Sequence, residues 1–469
     1  MSAVWILAAL VIGAAVLGWF AHLERSGRGI SVVLVILTVV VVESTLFHNQ
    51  SLIEGVIFHP TIGGQTLRLF EILIPIALLA RLLVRGAPTH VGLPALWWGA
   101  FIVWLSVSAT VGFLQGHDSA DVLFQAKAII YLGGGFALAA GVPARDYVDE
   151  HGIVRLIPPA AILATVMILL TQANRTFEFS APGMSVPELG VLGSDAASVF
   201  VALAVIALAL GACRADGRLR LMLAAAPLIL TAAFAGQRAA LLGLTISVFV
   251  LIAAALSPTA RRRLHTTPTE MGLVALATGA LFLAVALVPA AIEERAPRTP
   301  LAGNIEETFG GLAKQQSAQA RTNQWTEARA LVAQRPILGW GLGKTYTYYR
   351  PGPNVFEESQ LTHNIGGDLL LRTGLAGLAL FVIALWLSIR GGIQAWRYSS
   401  NNLVAAFSLG LVAVVVGLLG KGMVESLFEQ YRLVTLLGLL LGMLRAAATS
   451  HEPRHSTPAT ATADEEIRA

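Results

Sequence analysis

His363 and Asn364 stand side by side where a long polar stretch gives way to an apolar run. Histidine is the side chain that most readily takes or gives a proton near neutral pH, its unperturbed pKa being about 6.5. At a water–lipid boundary it could act as a base toward a hydroxyl, with the neighbouring amide orienting the ring or holding substrate. The plain alternative is a polar cap on a helix. Arg238, within Gly236-Gln237-Arg238-Ala239, separates two apolar runs. A guanidinium there is costly to keep, and its planar fork matches a phosphate or diphosphate; the simpler use is snorkelling to lipid headgroups. Arg68, Glu71, Lys127, Lys421, Glu425, Glu429 and Arg432 also fall near the ends of apolar runs. Arg68 and Glu71 are three apart and can pair along one helix, whereas Lys127 and Lys421 have no partner close in sequence. As a group these charges suggest a polar cavity with a positive bias, suited to an anionic ligand.

One glycine-rich stretch, Gly339-Trp340-Gly341-Leu342-Gly343-Lys344-Thr345, invites a nucleotide reading and fails it. A phosphate loop of this type needs four residues between the first Gly and the Gly-Lys-Thr, and Gly339 leaves three. Gln334-Arg335-Pro336 just before it reads as a helix stop followed by a tight turn. The preceding helix, Arg321 to Gln334, carries Trp325, Ala328, Leu331 and Val332 at helical spacing. That amphipathic pattern suits a place along the membrane interface or over a cavity.

These residues need a frame, and composition supplies it. Of 469 residues, 55% are hydrophobic and 13% charged, with a mean hydropathy of +0.70. An ordinary globular chain is about 25% charged, so a soluble enzyme is excluded. The apolar runs are continuous rather than alternating, which excludes a membrane β-barrel. Cys213 is the sole cysteine, so no internal disulfide forms. Basic residues are scattered singly over short loops, which is no nucleic-acid-binding face.

Runs of spanning length occur at Val4–Phe20, Ile30–Leu46, Leu67–Val84, Pro94–Leu114, Val122–Gly141, Val154–Thr171, Gly193–Cys213, Leu219–Ala235, Ala239–Leu256, Met271–Ile292, Ile365–Ile389, Leu403–Gly420 and Leu433–Ala447. The expected fold is therefore all-α: a polytopic transmembrane bundle of 12–13 spans. Alternate loops carry the arginines, among them Arg25, Arg28, Arg81, Arg85, Arg145, Arg155, Arg218, Arg261 and Arg397. The positive-inside tendency puts those loops in the cytoplasm, the N-terminus outside and the C-terminus inside. Arg238 then lies on the side from which positive charge is otherwise withheld. Met1–Phe20 lacks a basic leader region and reads as a retained span.

Four regions follow: a bundle over 1–292, a polar extracytoplasmic insertion over 293–362 containing the amphipathic helix, three further spans over 363–448, and a disordered cytoplasmic tail over 449–469.

At this point the chain resembles the O-antigen ligase/O-antigen polymerase superfamily of membrane glycosyltransferases. The likeness rests on Gly236-Gln237-Arg238-Ala239-Ala240-Leu241. It rests also on Arg321 followed by Trp325 and Pro336-Ile337-Leu338-Gly339-Trp340-Gly341-Leu342-Gly343, and on Thr362-His363-Asn364 followed by Leu369-Leu370-Leu371-Arg372-Thr373-Gly374-Leu375-Ala376-Gly377. The resemblance implies a GT-C-like enzyme of the bacterial inner membrane with its active site on the extracytoplasmic side. It implies transfer of a glycan from an undecaprenyl-diphosphate carrier to a glycan or glycolipid acceptor, inverting, with no metal and no cofactor. Arg238 and Arg321 match the family's carrier-diphosphate residues and His363 its general base. Asn364, Lys127, Lys421 and Arg68 are further candidates for holding substrate. Two departures stand out: Arg372 lies where the family usually has an acidic residue, and thirteen spans are counted where twelve are common.

Two guanidinium groups can stabilise a leaving diphosphate without a metal, and a histidine can supply the base that a hydroxyl nucleophile needs. Within this class a polymerase, which takes a second lipid-linked unit as acceptor, is the near rival of a ligase. From another class, a polysaccharide or lipid transporter would call for broken helices and internal pseudo-symmetry.

Overall fold

The computed structural model describes residues 3–46, 61–62, 65–66, 68–86, 92–177, 180–181, 184–185, 194–214, 216–234, 238–263, 312–351, 353–428 and 430–450. The chain is an all-α, polytopic helical membrane protein. Its long helices are α1 (Ala3–Arg25), α2 (Gly29–Leu46), α3 (Leu69–Arg85), α4 (Leu93–Leu114), α5 (Ser119–Ala140), α6 (Ile157–Phe177), α7 (Ser194–Cys213), α8 (Arg218–Phe234), α9 (Arg238–Ala255), α10 (Leu312–Gln334), α11 (Ile365–Tyr398), α12 (Asn402–Gly422) and α13 (Tyr431–Thr449). Every expected span coincides with one of these except Met271–Ile292, which lies outside the described residues, as does the tail from 451 to 469. Among the described residues, seven helices are long and apolar enough to cross a membrane.

Local signals set the helix starts. Asp118, Asn364 and Asn401 accept backbone N–H groups at the beginnings of α5, α11 and α12, satisfying donors that a helix leaves open. The centre is α7 and α13. Their spanning windows are 94% and 83% buried, against 33% for the lipid-facing α4. Gly438 and Gly442 let α13 lie directly on the backbone of α5, since a Cβ at either would meet the carbonyls of Leu132 or Phe136.

The two ends of the bundle differ. At one end the arginines gather, and buried Glu24 of α1 holds both Arg81 and Arg85 of α3 at 2.7 Å. At the other, which we call the site end, α10 and the hairpin of β1 (Tyr346–Arg350) and β2 (Val355–Ser359) form a small cap with its own core of Ala328, Tyr346, Tyr348 and Leu371. The apolar stripe of α10 therefore faces the hairpin and α11. Only Trp325, 39% exposed, lies at its margin, with its ring against Gly367.

The cap is tied to the bundle through a break in α11. Gly374 has φ 65° and ψ −170°, so the helix is interrupted there. The carbonyls of Leu371 and Arg372 take the N–H groups of Trp340 and Gly341 at 2.9 and 3.0 Å, while Leu375 and Ala376 donate back to Pro336 and Ile337. Leu342 donates to Ser108 of α4, and Gly343 donates to Gln125 of α5. The glycine-rich stretch is thus a plug between helices, consistent with a tight turn and not with a nucleotide loop.

Gly341 lies at φ 81°, and a Cβ there would strike the backbone of Gly112 and Ser108. Gly217 has a similar φ of 70° but open space around it. Gly341→Ala should cost about 1–2 kcal/mol for the left-handed backbone and about 1–3 kcal/mol more for overpacking. Gly217→Ala should show only the first part. Thermal melts of the purified variants in detergent check this, and equal losses at the two positions would contradict the plug.

Candidate functional site

Helix starts converge at the site end, and the turns before them carry the candidates. His363 sits in the turn before α11 with φ 52°, a left-handed backbone that a non-glycine residue adopts at a cost of about 1–3 kcal/mol. Asp368, fully buried, holds that turn. Its Oδ1 accepts from the Thr362 N–H at 2.7 Å and the Thr362 hydroxyl at 3.0 Å, and its Oδ2 accepts from the Ser426 hydroxyl. Asn364 closes the other side: its Oδ1 accepts from Gly367 N–H, and its Nδ2 donates to the Met423 carbonyl at 2.9 Å.

Arg321 of α10 reaches the same place, its Nη1 donating to the Val424 carbonyl at 3.3 Å. The turn after α12 therefore receives both Asn364 and Arg321. Burial first, and then the nearby Arg321 guanidinium, lower the His363 pKa below its ordinary value against the opposing pull of Asp368 and Glu425. The ring is thus neutral at neutral pH and able to accept a proton. Among the described residues it makes no hydrogen bond of its own.

Arg238 is the first residue of α9; its side chain lies outside the described residues. Ser247 of α9 donates to the Ala413 carbonyl, and Gly243 approaches Gly417 and Lys421, so α9 runs antiparallel to α12. That register brings the beginning of α9 to the end of α12, beside the turn that receives Arg321 and Asn364.

The remaining candidates form a second cluster. Lys127 pairs with Glu71 at 3.5 Å, and Glu71 also accepts from the Tyr131 hydroxyl. The expected Arg68–Glu71 pair is not what forms: Arg68 instead lies over the Tyr431 ring, 5.3 Å from its centre, with Lys127 at 5.9 Å. Lys421 has partners after all. It donates to Gln430 at 2.7 Å and pairs with Glu425 at 3.4 Å, while Gln430 donates to Glu425. Arg432 faces Asp195 at 3.7 Å. Glu43 accepts from the Leu69 N–H at the start of α3. Glu429 lies outside the described residues. The expectation of a positive bias is tempered accordingly, because Glu71, Glu425 and Asp195 stand opposite Lys127, Lys421 and Arg432.

Sequence reasoning passed over Asp368, Ser426, Gln430 and Asp195. Asp368 and Asp195 left a signal: each is an acid in the first turn of a helix, where the helix dipole favours it.

Comparison with known families bears on this arrangement. Residues 223–382 match the sequence model of the O-antigen ligase family. No curated protein matches the chain. The matched stretch runs from α8 into α11 and contains Arg238, Arg321, His363, Asn364, Asp368 and Arg372. The resemblance to the O-antigen ligase/polymerase superfamily drawn from the three motifs holds over it.

Asp368 is the anchor of the turn, and bonds to an ionised group contribute about 1.5–3 kcal/mol each. Asp368→Asn keeps the shape but removes the charge. It should lower the melting temperature and make His363 react faster with diethyl pyrocarbonate as the turn opens. Unchanged reactivity in a folded Asp368→Asn protein would show that the turn does not depend on this carboxylate.

Proposed function

We propose, from the O-antigen ligase domain that residues 223–382 carry, that this chain is a polysaccharide ligase. It moves a glycan from an undecaprenyl-diphosphate carrier to a glycan or glycolipid acceptor on the extracytoplasmic side of the bacterial inner membrane. The observation that carries this reading is that Asn364, next to His363 in the turn before α11, and Arg321 of α10 both bond to the one turn at residues 423–424, which sets the guanidinium near the histidine. A base and a guanidinium at the mouth of an apolar bundle suit a substrate with a lipid tail and an anionic head.

In the reaction, the acceptor hydroxyl gives its proton to the neutral His363 ring while its oxygen bonds to the anomeric carbon of the donor sugar. The bond from that carbon to the diphosphate breaks, and the diphosphate leaves with the electron pair. Arg321 and Arg238 stabilise the charge that grows on it. A single displacement inverts the anomeric centre. Asn364 holds the turn on which His363 sits. Lys127, Lys421 and Arg68 lie in the adjoining cluster, where the carrier head or the acceptor would pass.

The break in α11 is a feature a transporter would also show. Its freed backbone groups are taken up by residues 336–341 instead of lining an open path, which favours the enzyme.

Reconstitution with a lipid-diphosphate glycan tests the reading, with a core glycolipid and a second lipid-linked glycan as competing acceptors. Transfer to the glycolipid is expected; growth of the lipid-linked chain alone would mark a polymerase, and no transfer to either would sink both. His363→Gln should be nearly inactive. Rates should fall on the acid side of pH 6.5, where the lowered pKa of His363 places its protonation. Arg321→Gln removes one of the influences that lower it, so the acid limb of the residual activity should move to higher pH. An unmoved limb would mean that His363 is not the group titrating.

Sidedness has its own test. Gln316→Cys in a Cys213→Ala background should react with an impermeant thiol reagent in right-side-out vesicles. Labelling confined to inverted vesicles would reverse the proposed topology.

A further inference from the structure

Arg372 lies in the last turn of the short helical segment between His363 and the break at Gly374, and the residue is 5% exposed. Its Nη2 donates to the Gln360 carbonyl at 3.2 Å, and its buried Nε has no hydrogen-bond partner. Among the described residues no carboxylate pairs with it. Asp368, one helical turn away, is the obvious counter-ion, but its oxygens are given to Thr362 and Ser426. Among the described side chains, Arg68 and Lys127 lie over a ring, Lys127, Lys421 and Arg432 are set opposite acids, and Arg321 is bonded at the surface. A guanidinium this enclosed is expensive to keep without an anion, and membrane proteins retain such groups where a ligand supplies the charge.

The surroundings suit a sugar. The Gln125 side chain donates to the Gln360 side chain at 3.1 Å, and Tyr346 is close enough to feel the Arg372 charge. Gln125 is bonded at both ends of its amide, and the Tyr346 hydroxyl donates to the Leu361 carbonyl, so the Gln360 NH2 group and the phenol lone pairs are what a sugar hydroxyl near the anion could use. Arg372 is seven residues beyond Ile365, about 10 Å along the helix. A diphosphate held by Arg321 beside His363 would not reach it, whereas a sugar further along the glycan would.

We propose that Arg372 binds an anionic substituent, a carboxylate or a phosphate, on a glycan sugar set back from the reacting end. The planar edge of Nε and the adjacent nitrogen would grip it in bidentate fashion. This deepens the ligase reading and rests on it, making the chain selective for acidic glycans.

The test measures binding to the full chain in nanodiscs, without any transfer step. The probes are a uronic-acid oligosaccharide, the same oligosaccharide with its carboxyls reduced, and a phosphorylated neutral oligosaccharide. The wild type should bind one acidic probe about tenfold or more tighter than the neutral one, the factor that a single charge-assisted hydrogen bond supports. Which acidic probe wins names the substituent. Arg372→Gln should bind all three alike and should melt no lower than the wild type, since it removes a charge without a counter-ion. If Arg372→Gln does not fold, Arg372→Lys keeps the charge but loses the planar edge, and its preference should fall several-fold. Equal binding of the three probes by the wild type, or a preference kept by Arg372→Gln or unchanged in Arg372→Lys, overturns the assignment. Selectivity without transfer in the reconstituted system would instead overturn the ligase reading and leave this site standing.

Discussion

The exchange of backbone hydrogen bonds at Gly374 is what the site depends on. A continuous helix would satisfy the carbonyls of Leu371 and Arg372 from its own next turn; here Trp340 and Gly341 satisfy them, and residues 336–337 take the N–H groups beyond the break. These four bonds replace ones the interruption removes, and such re-satisfaction is the condition for a broken helix inside a membrane protein. The consequence is mechanical. The cap hangs on the same segment that carries His363, so α10 and its Arg321 are fixed relative to the histidine by main-chain bonds. The Trp340 ring fastens the other end, donating to the Leu331 carbonyl and lying under Arg335 and Lys344.

That rigidity lets one turn hold an unfavourable conformation. His363 keeps a left-handed backbone because Thr362 before it and Asn364 after it are both fastened, the first to Asp368 and the second to Gly367 and Met423. Asp368 is itself held by Ser426 from the turn between α12 and α13. Three parts of the chain, at 321, 362–368 and 423–426, thereby define one another. Strain of this kind persists only where surrounding structure over-determines it.

Much of this frame was legible in the residues. Apolar runs of spanning length gave the helices within a few positions, because a membrane helix must be apolar along its whole length. Gly341 and Gly343 signalled a sharp turn, yet nothing in their spacing said that the turn would insert into a helix more than thirty residues later in the chain. Arg68 and Glu71 illustrate the limit best. Spacing of three offers them to each other, but α5 brings Lys127 and Tyr131 to Glu71, and α13 brings Tyr431 to Arg68. Local periodicity cannot foresee a partner that arrives from another helix. Asp368 and Asp195 were missed for the same reason, since each takes its meaning from a contact across the bundle.

The charges at the two ends of the molecule make a final contrast. At the basic end Glu24 is clamped by two arginines at 2.7 Å, close and buried, as befits a joint between α1 and α3. At the site end the pairs are looser: Lys421–Glu425 at 3.4 Å, Lys127–Glu71 at 3.5 Å and Arg432–Asp195 at 3.7 Å. Carboxylates there keep the cations tolerable within an apolar bundle. A cluster with a large positive excess would cost more to fold, and one paired as closely as Glu24 would have little left to offer a ligand. The nearly balanced set avoids the first cost, and under the proposal made for Arg372 that residue is where an anion from outside would complete the balance.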